Sequence, residues 1–252
     1  MPQNVIYEPK GRAGEYAPLA CNLYRGCTHG CIYCYVPRVI KMTKSDFHSS
    51  ARSRGNILHA IKRDSIKYAN DPRNVLMCFT TDPYPAGITL AVDITREAIQ
   101  IMNQNGLKVT ILSKGGLRST RDFDVLSDFP GNEYATTLTY PSSKPRESLR
   151  WEKFAALPSD RVEALKRAHD HGIRTWVSLE PVLHPDSPKQ ILEETHEFVD
   201  FYKLGKLNHM LSDDPIDWRY LRDDMISRFE SYGFIRNSSS RGYMIKRDLE
   251  MS

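Results

Sequence analysis

No stretch of this 252-residue chain approaches the ~20 consecutive apolar residues that a membrane-spanning helix needs. The opening residues, Met-Pro-Gln-Asn-Val-Ile-Tyr-Glu, lack the basic-then-apolar pattern of a secretion signal. Cysteine is scarce: there are five, an odd number, and three of them crowd one loop, which does not make a disulfide framework. Together these absences set the expectation of a protein of the reducing cytoplasm. Low-complexity tracts and convincing short repeats are missing too, and Ser238-Ser239-Ser240 is only a brief polar turn. Neither charge dominates. The formal net charge is +4 and the isoelectric point near 8.7, compatible with a polyanionic partner without requiring one. Basic residues gather at Arg38–Lys44, Arg52–Arg54, Lys62–Arg63, Arg118–Arg121 and Arg236–Arg247, where a solvated surface explains each cluster as well as a ligand does. An apolar share of 40% is that of an ordinary globular protein, and the length suits one α/β domain with ample core.

What the chain does have is a cysteine triad. The segment Gly26-Cys27-Thr28-His29-Gly30-Cys31-Ile32-Tyr33-Cys34-Tyr35 spaces three thiols as CxxxCxxC. Three thiolates on so short a loop suit a 4Fe–4S cluster with one iron left without a protein ligand. A closed structural site needs four ligands, for zinc or for iron and sulfur. Two plainer readings stand beside it. A zinc site would recruit Cys21, His29 or Cys78 as fourth ligand, or the cysteines are buried and unreactive.

Apolar β-rich runs alternate with helical spacing, which predicts a parallel α/β sheet. Strands are expected within residues 16–23, 74–80, 108–113, 133–140, 173–180 and 198–204. Helices are expected over 50–69, from Ala91 to near Gly106, over 121–128 and over 187–198. Asp160 and Glu163 form a capping box for a further helix ending at Gly172. Proline and charge fill 141–158, which reads as a long functional loop or mobile cover. Six β/α units by residue 207 predict an open, partial (β/α)6 barrel. A C-terminal extension, 208–252, carries a helix over 215–232 and a strand at 243–246 packed on the barrel. Active sites of such sheets lie at the carboxyl ends of the strands, so Asp82, Lys114, Thr139, Glu180 and Lys203 should share a cavity with the cysteine loop. Tyr33, Tyr35, Tyr84, Tyr140 and Trp176 are the aromatic residues expected beside it.

The triad resembles that of the radical S-adenosylmethionine (SAM) superfamily. Four segments resemble the spore photoproduct lyase-like branch in particular: the Tyr33-Cys34-Tyr35 surround, Thr80-Thr81-Asp82, Leu112-Ser113-Lys114, and Asp160-Arg161-Val162-Glu163-Ala164 leading to His171-Gly172-Ile173. The resemblance implies a 4Fe–4S cluster on Cys27, Cys31 and Cys34, whose open iron chelates SAM. Reduction would split SAM to methionine and a 5′-deoxyadenosyl radical, with an external electron donor of flavodoxin or ferredoxin type. It further implies that Tyr33 lies near SAM, that Lys114 reaches its carboxylate or ribose, and that Thr137 replaces a SAM-contacting serine. Thr81, Asp82 and Thr139 join these as candidate cofactor-binding residues, and Glu180 as an acceptor for ribose hydroxyls.

One departure stands out. The lyase carries a hydrogen-donating cysteine three residues before the aspartate, and here that position is Phe79, with Cys78 one place earlier. Strand alternation would turn Cys78 to the other face unless a bulge intervenes. Cys78 and Tyr35 are the candidates for returning a hydrogen atom to the product. The resulting expectation is a radical SAM enzyme acting on a nucleobase or nucleotide in DNA or RNA. The alternatives are radical chemistry on a peptide or small metabolite, and a non-catalytic iron–sulfur or zinc-binding protein.

Overall fold

The computed structural model describes residues 4–87, 90–207 and 215–251. Strand β1 (Ile6–Tyr7) runs antiparallel to β2 (Leu19–Cys21). A small ribbon pairs β3 (Tyr24–Arg25) with β4 (Arg52–Ser53). The strands β5 (Val75–Met77), β6 (Val109–Ser113), β7 (Glu133–Thr137), β8 (Arg174–Leu179) and β9 (Phe201–Leu204) then add to β2 one after another, every pair parallel. Beyond β9 the sheet continues through two parallel strands from the C-terminal region, β10 (Ile235–Arg236) and β11 (Gly242–Ile245), in the order β9-β11-β10. The six parallel strands from β2 to β9 are the partial barrel the alternating pattern predicts. Their short apolar runs, such as Val75-Leu76-Met77, are buried on both faces, as strands under a helical layer must be.

Helices α1 (Val36–Val39) and α2 (Lys44–Ser49) follow the cysteine loop, and α3 (Ile57–Lys67) precedes β5. The layer continues with α4 (Leu90–Gln104), α5 (Phe123–Ser127), α6 (Pro145–Trp151), α7 (Pro158–Asp170) and α8 (Ser187–Thr195). In α4 the stripe buried against the core is Thr95, Ala98, Ile99 and Met102, with Ile94 and Ile101 partly buried beside it. The side chains of residues 90–92, Ala91 among them, lie outside the described residues. The C-terminal region supplies α9 (Trp218–Ser231) and α10 (Arg247–Glu250). Leu221, Met225 and Phe229 of α9 are buried at fourfold spacing, and the Phe229 ring stacks on Tyr243 of β11 at 4.8 Å. The boundary expected at 207–208 falls where residues 208–214 lie outside the described ones.

Three local expectations are corrected. Residues 50–69 are not one helix: Arg52–Ser53 form β4 against the residues just before the cysteine loop, and the helix starts at Ile57. Residues 141–158 are not a loop. They contain α6, with Ser148, Trp151 and Glu152 buried; its seven residues, with Leu149 facing out, show too little apolar periodicity to be read. Asp160 and Glu163 do not cap α7, which begins at Pro158 after Leu157, and Glu163 instead pairs with Arg167.

Candidate active site

The cysteine loop is bent to shape by its glycines and held from two sides. Gly26 sits at φ +84°, and a Cβ there would stand 2.0 Å from the Ser50 carbonyl oxygen, so only glycine lets the loop pass against the end of α2. On that side the Cys27 amide donates to the Phe47 carbonyl (3.0 Å) and His48 Nδ1 lies 2.8 Å from the Cys27 carbonyl. On the other side the Ile32 amide donates to the Trp151 carbonyl (2.8 Å) and the Phe154 amide to the His29 carbonyl (2.9 Å). Residues 151–154 thus wall the cysteine loop and are not a mobile cover.

The buried Asp82 carboxylate ties the loop after β5 to the end of β6. It accepts from the Ser113 hydroxyl (2.6 Å), the Lys114 amide (2.7 Å) and the Tyr84 amide (2.8 Å). Burial alone would raise its pKa, but His29 and these donors hold it below the usual carboxylate range. His29 faces Asp82 through Nδ1 at 3.4 Å, and its Nε2 accepts from Arg118 (3.2 Å). Burial lowers the His29 pKa to about 4 against the pull of Asp82, so the ring is neutral near pH 7. His29 is therefore engaged in hydrogen bonding within the loop's support.

A second buried carboxylate, Glu152, was not visible as a site residue in the sequence. Glu152 and Arg161 form an ion pair of 2.6 Å with both side chains almost wholly buried. The Tyr33 hydroxyl donates to Glu152, and the backbones of Glu152 and Cys31 bridge. Arg161 in turn donates to the carbonyls of Ala156 and Thr137, both at 2.9 Å. This pair links α6, α7 and the carboxyl end of β7 to the aromatic residue between the second and third cysteines. Only the resemblance of the Asp160–Ala164 segment hinted at Arg161; no spacing rule pairs residues nine apart across a helix break.

A cavity of about 440 Å³ opens at the carboxyl ends of the strands. Tyr33, Tyr35, Cys78, Lys114, Thr137 and Glu180 line it, together with Phe79 and with Tyr16, which the sequence did not single out. Lys114 Nζ stands 5.7 Å over the Tyr33 ring. Glu180 is paired with Lys246 of the C-terminal region (3.0 Å), and Gly205 leaves room for both, since a Cβ there would lie 2.8 Å from the Glu180 carboxyl carbon. Thr81, Asp82 and Thr139 lie outside this lining among the described residues.

Lys203 corrects the expectation of one shared cavity. It lines a different one with Trp176, Thr110 and Glu133, where its ammonium lies over Trp176 (4.2 Å) and donates to the Tyr16 carbonyl (2.6 Å). Burial pulls its pKa down to about 8. Tyr84 is also removed from the cavity, buried and donating to Asp122 at 2.9 Å, while Tyr140 packs with Trp151 and Leu183. Strand alternation does not turn Cys78 away from the cavity either. β5 stops at Met77, so the strand rule no longer governs the next two residues, and both Cys78 and Phe79 reach the cavity wall.

The triad fits an iron–sulfur cluster by donor chemistry. Three soft thiols share one loop, and among the described residues no fourth donor joins them: Cys21 is buried in the core, Cys78 lies in the cavity wall, and His29 is hydrogen-bonded elsewhere. Among the described residues no three His, Cys, Asp or Glu side chains already stand in metal-binding geometry. Burial raises all three thiol pKa values, that of Cys31 to about 12 even with Lys114 opposing, so iron uptake must release the protons.

The radical SAM superfamily profile matches residues 21–199, a span that includes the triad, Lys114, Glu152 and Glu180. The chain belongs to the radical SAM superfamily. Membership brings the cofactors, a 4Fe–4S cluster and S-adenosylmethionine, and makes the chain an enzyme of that class. Among curated proteins it is 26% identical to an uncharacterised protein of Methanocaldococcus jannaschii over 195 residues, 76% of this chain and 71% of that one. It is 23% identical to an uncharacterised protein of Acidianus two-tailed virus over 209 residues, 79% and 67% of the two chains. Its fold is similar to a spore photoproduct lyase mutant with bound AdoMet and dinucleoside spore photoproduct (TM-score 0.70, 14% identity, 96% of this chain and 78% of that one). It is also similar to Streptococcus suis SuiB bound to S-adenosylmethionine (TM-score 0.64, 9% identity, 90% of this chain), of whose length it spans about half, 46%. At such identities these two likenesses show the fold alone.

Proposed function

We propose that this radical SAM enzyme abstracts a hydrogen atom from a nucleobase or nucleotide within DNA or RNA, as a repair or modification reaction. The observation that carries the reading is the cavity lining. Tyr33, Tyr35 and Phe79 bring aromatic rings to it for stacking, and Lys10 and Lys206 add cations suited to phosphates. The similarity to a fold that holds a dinucleoside photoproduct across nearly the whole of this chain supports it. When bound, the reduced cluster supplies the electron that splits SAM into methionine and a 5′-deoxyadenosyl radical. The chain's own residues then have distinct tasks. Cys27, Cys31 and Cys34 hold the cluster, Lys114 reaches the SAM carboxylate or ribose, and Thr137 and Glu180 bind beside it. Thr81, Asp82 and Thr139 act one layer out, Asp82 by holding the Lys114 backbone in place.

The test is retention of the anaerobically reconstituted enzyme on single-stranded DNA and RNA oligonucleotides. Affinity should fall steeply with salt, with a log–log slope of about −0.7 per neutralised phosphate. A salt-independent or absent interaction would return the substrate to a peptide or small metabolite. Deuterium carried from labelled oligonucleotide into 5′-deoxyadenosine identifies the hydrogen abstracted.

Lys114→Ala is expected to leave iron content intact and weaken SAM binding by roughly ten- to a hundredfold, the worth of a charge-assisted hydrogen bond of about 1.5–3 kcal/mol. An unchanged SAM dissociation constant by equilibrium dialysis would make Lys114 a bystander.

Tyr35 and Cys78 both line the cavity, so either can return a hydrogen atom to the product radical. Tyr35→Phe removes one phenolic oxygen and keeps the ring. SAM binding and uncoupled cleavage should stay near normal while product formed per 5′-deoxyadenosine drops. A constant ratio assigns Tyr35 to packing and leaves Cys78 as the donor to examine.

A further inference from the structure

The outer face of the cysteine loop, away from the cavity, is apolar at its centre and basic around it. Ile32, between the second and third cysteines, is 41% exposed, and Phe154, whose ring lies 3.3 Å from where a Gly30 Cβ would stand, is 54% exposed. Beside them α6 turns one side outward: Arg146, Leu149, Arg150 and, just past its end, Lys153 recur at three- and four-residue spacing, and all are exposed. Lys44 reaches across from α2 to donate to the Ile32 carbonyl at 2.5 Å, placing a further cation at the rim. Acidic groups scarcely offset this charge. Glu147 on α6 and Asp46 on α2 are the exposed carboxylates of these two helices, whereas the Glu152 carboxylate is buried against Arg161 and Tyr33.

Large exposed apolar side chains grouped inside a charged rim mark an interaction surface. Its position says what kind. None of Ile32, Leu149, Phe154, Arg146, Arg150 or Lys153 lines the cavity, so a substrate lying here would be out of reach of Tyr33 and Lys114. Yet Ile32 stands one residue from Cys31 and two from Cys34, so the loop backbone is the thin cover between this face and the ligands of the cluster. We propose that this face docks an acidic electron-carrier protein, which delivers one electron to the bound cluster. One electron leaves the carrier and enters the cluster, and no atom changes hands. The basic rim steers an acidic partner, and the small apolar centre suits a brief contact that must release after each transfer. The inference rests on membership of the superfamily and not on the identity of the substrate.

The test uses the reconstituted holoenzyme with two reductants, sodium dithionite and an acidic flavodoxin reduced to its hydroquinone, and reads cleavage of SAM without added substrate. In the double variant Arg146→Glu/Lys153→Glu, flavodoxin-driven cleavage at low ionic strength should fall about tenfold or more, and flavodoxin affinity measured by calorimetry should weaken in step. Dithionite-driven cleavage and iron content should match the parent, and the gap between variant and parent should close as salt is raised. Arg219→Glu, at an exposed position of α9, serves as the reversal control and should change nothing. If the double reversal disturbs folding, Lys153→Gln and Leu149→Ser should each show the same selective loss to a smaller degree. Equal flavodoxin affinity and rate in parent and variants at low salt would overturn the proposal. So would intact flavodoxin coupling combined with lost oligonucleotide retention, which would make this face a phosphate-binding surface.

Discussion

Replacing any one of Cys27, Cys31 or Cys34 by alanine is expected to abolish cluster assembly and, with it, all SAM cleavage. The argument is one of ligand number. The loop carries three thiols, and the structure supplies no substitute: His29 is engaged with Asp82 and Arg118, and Cys21 lies in the core. Two thiolates do not hold a cubane that already lacks a protein ligand on one iron. Reconstituted protein should therefore lose its brown colour and nearly all its iron, from about four atoms per chain to near zero. Cys21→Ala and Cys78→Ala should keep the metal, because neither belongs to the loop. Full iron content in a triad variant, or loss of iron in either control, would mean that the ligand set is wrong.

The second large effect belongs to Arg161. Arg161→Met keeps most of the side-chain volume but leaves the Glu152 carboxylate buried with the Tyr33 hydroxyl in place of its counter-charge. Breaking a buried pair from one side costs about 3–5 kcal/mol, a large part of a typical folding stability of about 5–15 kcal/mol. The melting temperature should drop by on the order of 10 °C. Because the same pair holds Tyr33 and the bridge to Cys31, iron uptake should become less complete as well.

The pH dependence carries a sign that checks the cause. In the parent, burial would push Glu152 up, but Arg161, Lys114 and the Tyr33 hydroxyl bring its pKa below the usual carboxylate value. The pair therefore contributes stability above the unfolded carboxyl pKa of about 4.3 and loses it as pH falls through the lower folded value. In the variant the pull is removed and burial wins, so the penalty grows as pH rises and eases in acid. The gap between parent and variant melting temperatures should be widest near pH 7 and narrow towards pH 4. A pH-independent gap would point to a packing defect. The double variant Glu152→Gln/Arg161→Met should recover part of the loss, because it leaves no unpaired buried charge.

How far the sequence could be read depends on how local each signal is. The strands around Val75–Met77, Val109–Ser113 and Arg174–Leu179 announce themselves because parallel strands buried on almost every residue are rich in apolar and β-branched side chains. Helix α6 stayed hidden because its seven residues bury only Ser148 and Trp151, too few to show a period. The Asp160–Glu163 spacing misled because proline at the first helical position is as good a start signal as a capping box, and Pro158 took it.

The cysteine spacing, the six β/α units and the segments around Asp82, Lys114 and Arg161 were enough by themselves to indicate the superfamily and its cofactors, because a cluster-binding loop and a strand pattern are written in consecutive residues. Which strand-end side chains meet was decided only by the tertiary structure. Where β5 stops turns Cys78 and Phe79 together to the cavity wall, and Lys203 points into a second cavity although its strand ends beside that of Glu180. Lys246 comes from the C-terminal region to pair with Glu180, 66 residues away along the chain. Contacts of that kind depend on register and on where each strand ends, and no pattern in neighbouring residues records either one.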